Sequence, residues 1–263
     1  MPGQPLSVAI HGATGRMGTR LIQLIVADTS LELGSALVRE GHPDLGRDVG
    51  PMVGLGELGV PLRSGLSRLV DVLIDFSSPS GAESIAVACR SRGIPILVGT
   101  TGLEPEQRRS IEAAGEAIPV LIAPNTSRAV NLLFKLAGDA ARALGPSADV
   151  EIVERHHRLK KDAPSGTAIR LADVIANETG ATRRAHGRSG VVGERPRDEI
   201  GIHALRTGDN PGEHTVVFGL MGECIELSHR ALNRDGFARG ALDAAMFLAR
   251  QPAGVYSMAD VLG

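Results

Sequence analysis

Apolar residues along the chain fall into short runs separated by glycine, proline and serine, and the runs alternate between a strand-like and a helical period. Residues 6–11 (LSVAIH) predict a strand. Gly12-Ala-Thr-Gly-Arg-Met-Gly18 follows at once, and in residues 17–27 the apolar side chains at 17, 21, 24 and 25 share one helical face, which predicts strand, glycine turn, helix. Residues 31–38 predict a second strand, while residues 39–65 carry little periodicity and are expected to form a long loop with at most a short strand. The run 70–76 (VDVLIDF) predicts a third, fully buried strand. Ser77-Ser-Pro-Ser80 is a capping signal for a helix to about residue 89, and strands at 96–99 and 119–123 bracket a helix over 105–117. Strands and helices alternating at these loop lengths predict a doubly wound parallel sheet with helices on both faces.

The pattern changes near residue 125. A helix over 128–144, a strand over 149–154 and a helix over 167–178 precede three strands in near succession, at 199–206, 214–220 and 223–230. Gly208-Asp-Asn-Pro-Gly212 and Met221-Gly222 read as hairpin-type turns between them, so the second sheet is expected to be partly antiparallel. Residues 183–197, charged and interrupted by Gly and Pro, read as a mobile loop. A last helix over 234–250 and the tail 255–262 are expected to return to the first domain. The fold class is therefore α/β: an N-terminal Rossmann-like domain (1–127, with 236–263 returning to it) and a smaller α+β domain with an open mixed sheet (128–235).

Composition narrows the function. The 263 residues are 43% hydrophobic and 22% charged, an ordinary globular balance. Lys and Arg (28) nearly match Asp and Glu (30), for a net charge of −2, and with no Trp, one Tyr and five Phe there is neither the basic field nor the aromatic platform of a nucleic-acid binder. Cys89 and Cys224, without CxxC spacing and each in an apolar run, read as buried free thiols rather than a disulfide or zinc site. No apolar run reaches membrane-spanning length, and residues 1–6 lack the features of a secretory leader, so no membrane partner and a cytoplasmic location are expected.

Gly12, Gly15 and Gly18, after the first strand and at a helix N-terminus, form a turn that suits a dinucleotide pyrophosphate: its backbone can approach the phosphates, and the helix offers free N–H groups and a positive dipole end. Gly12, Ala13, Thr14, Gly15, Arg16, Met17 and Gly18 are therefore candidate cofactor contacts. At the end of the second strand, Val38 occupies a place where an NAD-binding unit carries an acid, and Arg39 follows. A 2′-phosphate contact by Arg39 and a solvated loop charge are both compatible with that pattern, so the expected cofactor is NADPH, NADH or both. Gly99, Thr100 and Thr101, and Ala123, Pro124, Asn125 and Thr126, follow strands at the carboxyl edge of the sheet, where they can line a nicotinamide.

The segment 154–167 (ERHHRLKKDAPSGT) is the most informative. It sets four cations and two adjacent histidines before a Pro-Ser-Gly-Thr helix start, whose N–H groups can hold a carboxylate, and so points to an acidic substrate. Histidine and lysine there can donate protons. A solvated basic loop would need neither His-His nor the cap, and adjacent histidines without further ligands do not make a metal site. Lys160 and Lys161 are equivalent on this reading. His11, His203, His214 and His229 read as structural, and no nucleophilic serine is indicated because G-x-S-x-G is absent.

These two elements, Gly12-x-x-Gly-x-x-Gly18 and Glu154-x-His-His-x-x-Lys-x-Asp-x-Pro-Ser-Gly-Thr167, together resemble the 4-hydroxy-tetrahydrodipicolinate reductase (dihydrodipicolinate reductase) family of bacterial lysine and diaminopimelate synthesis. Asp75-Phe-Ser-Ser-Pro79, Gly99-Thr-Thr-Gly102, Gly212-Glu-His-Thr215 and Met258-Ala-Asp-Val-Leu262 extend the similarity nearly end to end. The resemblance implies reduction, with NAD(P)H, of a cyclic dicarboxylic imine formed from 4-hydroxy-tetrahydrodipicolinate by loss of water, giving tetrahydrodipicolinate. It also implies a homotetramer built through the second domain's sheet. It gives His156 and Lys160 as catalytic proton donors, and His157, Ser165, Gly166 and Thr167 as the substrate-carboxylate site. Val38 and Thr126 depart from many members, which leaves cofactor preference open. Another two-domain Rossmann dehydrogenase acting on a small acidic substrate would explain the first half alone. A non-catalytic NADP(H)-binding protein would have no need of His156 and Lys160.

Overall fold

The structure, a computed structural model, describes residues 4–66 and 70–263; the start of the N-terminal stretch read for a leader lies outside them. Two compact units are present, residues 4–66 and 70–128 with 235–263, and residues 129–234.

The first unit opens with β1 (Leu6–His11), the glycine turn and α1 (Arg16–Val26), then β2 (Leu31–Leu37). The segment expected to be a loop with at most a short strand holds a helical turn, α2 (Val49–Met52), besides β3 (Leu62–Arg63). One carboxylate organises it: Asp48 accepts hydrogen bonds from the N–H groups of Gly50, Leu58 and Val60 at 2.8–3.0 Å. β4 (Val72–Asp75), α3 (Pro79–Arg92), β5 (Ile96–Val98), α4 (Pro105–Ala113) and β6 (Pro119–Ile122) follow. Ser78 caps α3 by accepting from Gly81 N–H, and Gly93, at φ +68°, ends it in the left-handed region that suits glycine.

In the second unit α5 (Arg128–Leu144), β7 (Asp149–His156) and α6 (Gly166–Thr179) precede β8 (Arg183–His186), β9 (Glu199–Arg206), β10 (Glu213–Leu220) and β11 (Glu223–Arg230). The chain then re-enters the first unit as α7 (Asp235–Leu248), β12 (Gly254–Tyr256) and α8 (Met258–Leu262).

The first sheet has seven parallel strands in the order β12-β6-β5-β4-β1-β2-β3. Successive side chains of its central strands are buried on opposite faces. Val8, Ile10, Ile74 and Leu97 pack with α1 and α7, whereas Ala9, Leu73, Ile96 and Val98 pack with α3 and α4. Burial on both sides explains the unbroken apolar runs. The chain winds outward from β1 to β3, then resumes at β4 on β1's other side, so strand order reverses between β1 and β4, beside the glycine turn.

The second sheet is mixed, in the order β11-β10-β7-β9-β8, with β7, β9 and β8 parallel and β10 antiparallel to both neighbours. Alternate residues of β7 face α5 and α6: Val150 and Ile152 enter the core, and Glu154 and His156 continue the same buried face. Two expectations are corrected here. Residues 208–212 do not close a hairpin between neighbouring strands, because β7 lies between β9 and β10; the connection passes the end of β7, where Thr207 N–H donates to the His156 carbonyl at 2.9 Å. Residues 183–197 are not simply a loop, since they begin with strand β8 at the sheet edge and are then pinned by Arg188 and Arg195 to Glu151, Asp149 and Glu199. Met221-Gly222 does form a two-residue hairpin turn, with Leu220 paired to Glu223 and Gly222 at φ +89°.

Candidate functional site

In the first unit the glycine turn is built for close backbone approach. Gly12 has φ +81° and the N–H groups of Gly12 and Ala13 both donate to the Leu37 carbonyl; a Cβ at Gly12 would strike the Phe76 carbonyl, and one at Gly18 would strike the turn itself. Gly15, the N-cap of α1, supplies no side-chain cap, so the first N–H groups of an 11-residue helix remain for an anion. Thr14, Gly15 and Arg16 are exposed, Met17 is half-buried, and Ala13 and Gly18 are buried. Val38 is buried and apolar, and Arg39 beside it is exposed, so no acid occupies that place. The turn fits a dinucleotide's pyrophosphate, and Arg39 is an exposed cation at the end of β2. His42, which the sequence did not single out, joins this rim: its Nε2 lies 3.3 Å from Thr14 Oγ1.

A cavity of about 250 Å³ opens beside the turn, lined by Met17, Phe76, Gly99, Thr101, Pro124, Thr126 and Phe237. Gly99 lets the Phe76 ring lie close, because a Cβ there would displace the ring. Two candidates turn their hydroxyls elsewhere. Thr126 donates to the Phe237 carbonyl at 2.7 Å, and Thr100 donates to Asp75 Oδ2 at 2.5 Å. Asp75, fully buried, also holds His11 Nδ1 at 2.7 Å and the Ser77 hydroxyl at 2.6 Å. Ala123 is buried with its N–H on the Val98 carbonyl, and Asn125 Oδ1 accepts from Ser127 N–H.

In the second unit, strand β7 carries Glu154 and His156 to the buried end of the sheet, and Ser165 starts α6 next to them. Glu154 is fully buried and its two oxygens meet four donors: His156 Nδ1 at 2.6 Å, Ser165 N–H at 3.0 Å, and both terminal nitrogens of Arg206 at 2.8 Å. Burial raises the cost of that charge, but the bonds from Arg206, His156 and Ser165 outweigh it and hold the carboxyl below its usual range. Burial lowers the His156 pKa, which its bond to Glu154 offsets only in part, with the charges of Lys160 and Arg206 adding to the lowering. Arg206 also donates to the Asp162 carbonyl at 2.7 Å, tying the 157–164 loop to the same carboxylate.

Lys160 is half-buried and pairs with Asp162 at 2.8 Å, whereas Lys161 is exposed; it is Lys160 whose charge bears on His156 and His214. The Ser165 hydroxyl accepts from Ala168 N–H and lies 3.0 Å from His214 Nε2. His214 is 3% exposed, its ring meets His156 edge-on at 5.2 Å, and burial above all pushes its pKa down to about 3. Gly166 is exposed at the helix start, and His157 and Thr167 are half-buried. Arg206 and Gly212, which sequence reasoning did not single out, lie in this cluster beside His214, which it read as structural; the GEHT motif contained two of the three. Cys224 is a further correction: it lies exposed on strand β11, while Cys89 is buried, with its thiol pushed up to about 12.

Against known families, residues 6–126 match the dihydrodipicolinate reductase N-terminal domain and residues 129–262 its C-terminal domain. The chain belongs to the dihydrodipicolinate reductase family. Curated relatives agree over full length: the 4-hydroxy-tetrahydrodipicolinate reductases of Anaeromyxobacter sp. (strain Fw109-5) and Citrifermentans bemidjiense are each 46% identical over 264 residues, covering 98% of this chain and 98% and 99% of theirs. A dipicolinate-bound dihydrodipicolinate reductase from Paenisporosarcina sp. TG-14 superposes with a TM-score of 0.77 at 27% identity, over 96% of this chain and 97% of that one. Among the described residues, no group of His, Cys, Asp and Glu is placed to hold a metal ion, and no helix is long and apolar enough to cross a membrane.

Proposed function

We infer that the protein catalyses the NAD(P)H-dependent reduction of 4-hydroxy-tetrahydrodipicolinate to tetrahydrodipicolinate, by way of the cyclic dicarboxylic imine left when water is lost. The observation that carries this reading, in a chain of this family, is the arrangement around Glu154: a carboxylate-held histidine, a nearby lysine and a capped helix start in one cluster. When bound, the nicotinamide nucleotide supplies the hydride. Gly12 to Gly18 hold its pyrophosphate, and Met17, Phe76, Gly99, Thr101 and Pro124 border its nicotinamide end. The N–H groups of Gly166 and Thr167, with His157, bind a substrate carboxylate at the positive end of α6. Lys160 offsets the substrate's charge and stabilises the negative charge that builds as the C=C–C=N system is reduced. His156, neutral in the free enzyme because it is buried, becomes a stronger base as a dianionic substrate arrives, takes up a proton and delivers it through Nε2.

The first unit thus serves as the dinucleotide-binding domain and the second as the substrate domain. We propose also that the protein works in the cytoplasm as a homotetramer joined through the second unit's sheet, whose edge strand β11 is largely exposed. Nicotinamide absorbance, followed with NADPH or NADH and with substrate made in situ by condensing pyruvate with aspartate semialdehyde, tests the reading. Turnover with either nucleotide is expected. Tight nucleotide binding without turnover would leave the dinucleotide site standing and remove the substrate assignment.

A further inference from the structure

Continuing the buried face of β7 from Val150 and Ile152, the sequence places an acid, Glu154, where an apolar residue would be expected. A fully buried carboxylate is costly unless every lone pair is met, and it destabilises strongly if a partner is removed. Here the partners are specific. Arg206 binds both oxygens, Ser165 N–H meets one, and His156 Nδ1 meets the other at 2.6 Å. A carboxylate so held is ionised and can only accept, so Nδ1 must carry a proton. In the neutral imidazole Nε2 is then the bare nitrogen. It points toward Gly212, whose φ is +151° and where a Cβ would come within 3.1 Å of Nε2, so the glycine keeps that nitrogen's approach clear. His214 does not compete for it, since its own Nε2 is engaged with Ser165.

We propose that Glu154 is a positioning residue for the reaction: it fixes His156 as the Nδ1–H tautomer, leaving Nε2 to exchange the proton with substrate, and locks this imidazole to the helix start that binds the substrate's carboxylate. This rests on the reading of His156 given above. Two links make the lock: Glu154 takes Ser165 N–H at the N-cap of α6, and through Arg206 it holds the Asp162 carbonyl of the loop that carries Lys160. The charged and titratable groups around His156 are Glu154 on β7, Arg206 on β9, His214 on β10, and Lys160 and Asp162 in the loop, with His229 on β11 beyond His214. Among the described residues, only Glu154 accepts from the imidazole, so among them it alone stabilises the imidazolium directly.

The test is made on the full-length chain. Long-range proton–nitrogen NMR of histidine-labelled protein, assigned with His156→Gln, reads the tautomer of His156 without altering Glu154; Nδ1–H is expected, and Nε2–H overturns the proposal. In Glu154→Gln we expect the Nε2–H form to appear, kcat to fall roughly 10²-fold with NADPH affinity unchanged, and the alkaline limb of the kcat profile to move to lower pH. Glu154→Asp, which keeps the charge, should recover part of the loss and of the pH profile. A Glu154→Gln enzyme with the wild-type tautomer and pH profile overturns the proposal even if it is slower. Full turnover by His156→Gln would instead remove His156 from the reaction, and is distinguishable because the wild-type tautomer is read independently.

Discussion

His214 carries a measurable consequence at the scale of a single residue. Burial pushes its pKa down to about 3 from the ordinary 6.5, so between those values the unfolded chain binds a proton that the folded protein refuses. Stability from this residue is therefore complete above about pH 6.5 and is lost as pH falls, at up to roughly 1.4 kcal/mol per pH unit. Urea unfolding should show the wild type losing roughly 2 kcal/mol more than His214→Asn between about pH 6.5 and pH 5. Equal losses would show that the folded protein protonates His214 as readily as the unfolded chain does. At the chemistry itself, His156→Gln and Lys160→Ala should each reduce turnover by roughly 10²-fold while NADPH still binds, because each removes a proton donor or the charge that stabilises the reduced product. Near-native turnover in either would take that residue out of the mechanism. Arg39, exposed beside the buried Val38, is the proposed contact for a 2′-phosphate. Losing a charge-assisted bond to the 2′-phosphate should lower kcat/KM for NADPH by about 10-fold or more in Arg39→Ala and leave NADH unchanged.

Among the elements, the segment after β8 is held by side chains rather than by strand pairing. Arg195 donates to Asp149, Glu151 and the carbonyls of Val150 and Glu199, and Arg188 spans Glu151 and Glu199. In Arg195→Ala these acceptors lose a shared donor, at about 1–3 kcal/mol. Hydrogen exchange should then accelerate across 187–198 with β9 little changed; an unchanged pattern would mean the segment was free already. The same region shows where sequence reasoning reaches its limit. Helix α5 and strands β9 and β11 are legible to the residue, because their apolar periods or turn signals are local. β8 is not, as Arg-Arg-Ala-His presents no apolar face at an exposed edge. β7 was expected to stop at Glu154, since the polar residues that follow break the apolar pattern. It continues to His156 because Glu154 and His156 satisfy one another inside. Motif 154–167 displayed His156, Lys160 and the helix cap, but Arg206 lies 52 positions beyond Glu154, and no local spacing announces that pair.

The whole molecule has two cores: one sheet wrapped by α1, α7, α3 and α4, and one covered by α5 and α6. The first is assembled from both ends of the chain, with β12 pairing beside β6, so the second unit is an insertion between its parts. Each core has its own polar site, the glycine turn in one and the Glu154 cluster in the other, so ligands should stabilise the two units separately. A ligand at 100 times its dissociation constant stabilises the state it binds by about 2.7 kcal/mol, and that gain appears as slower exchange in whatever opens with its site. NADPH alone should therefore protect residues 4–66, 70–128 and 235–263, strongest at α1 and β2. Pyridine-2,6-dicarboxylate alone should protect 129–234, strongest at the start of α6 and the end of β7. Hydrogen exchange read by mass spectrometry separates the two patterns. Protection of the Glu154 cluster by NADPH alone, equal to that in the glycine turn, would mean that the two cores open as one, and the division of labour between them would fall.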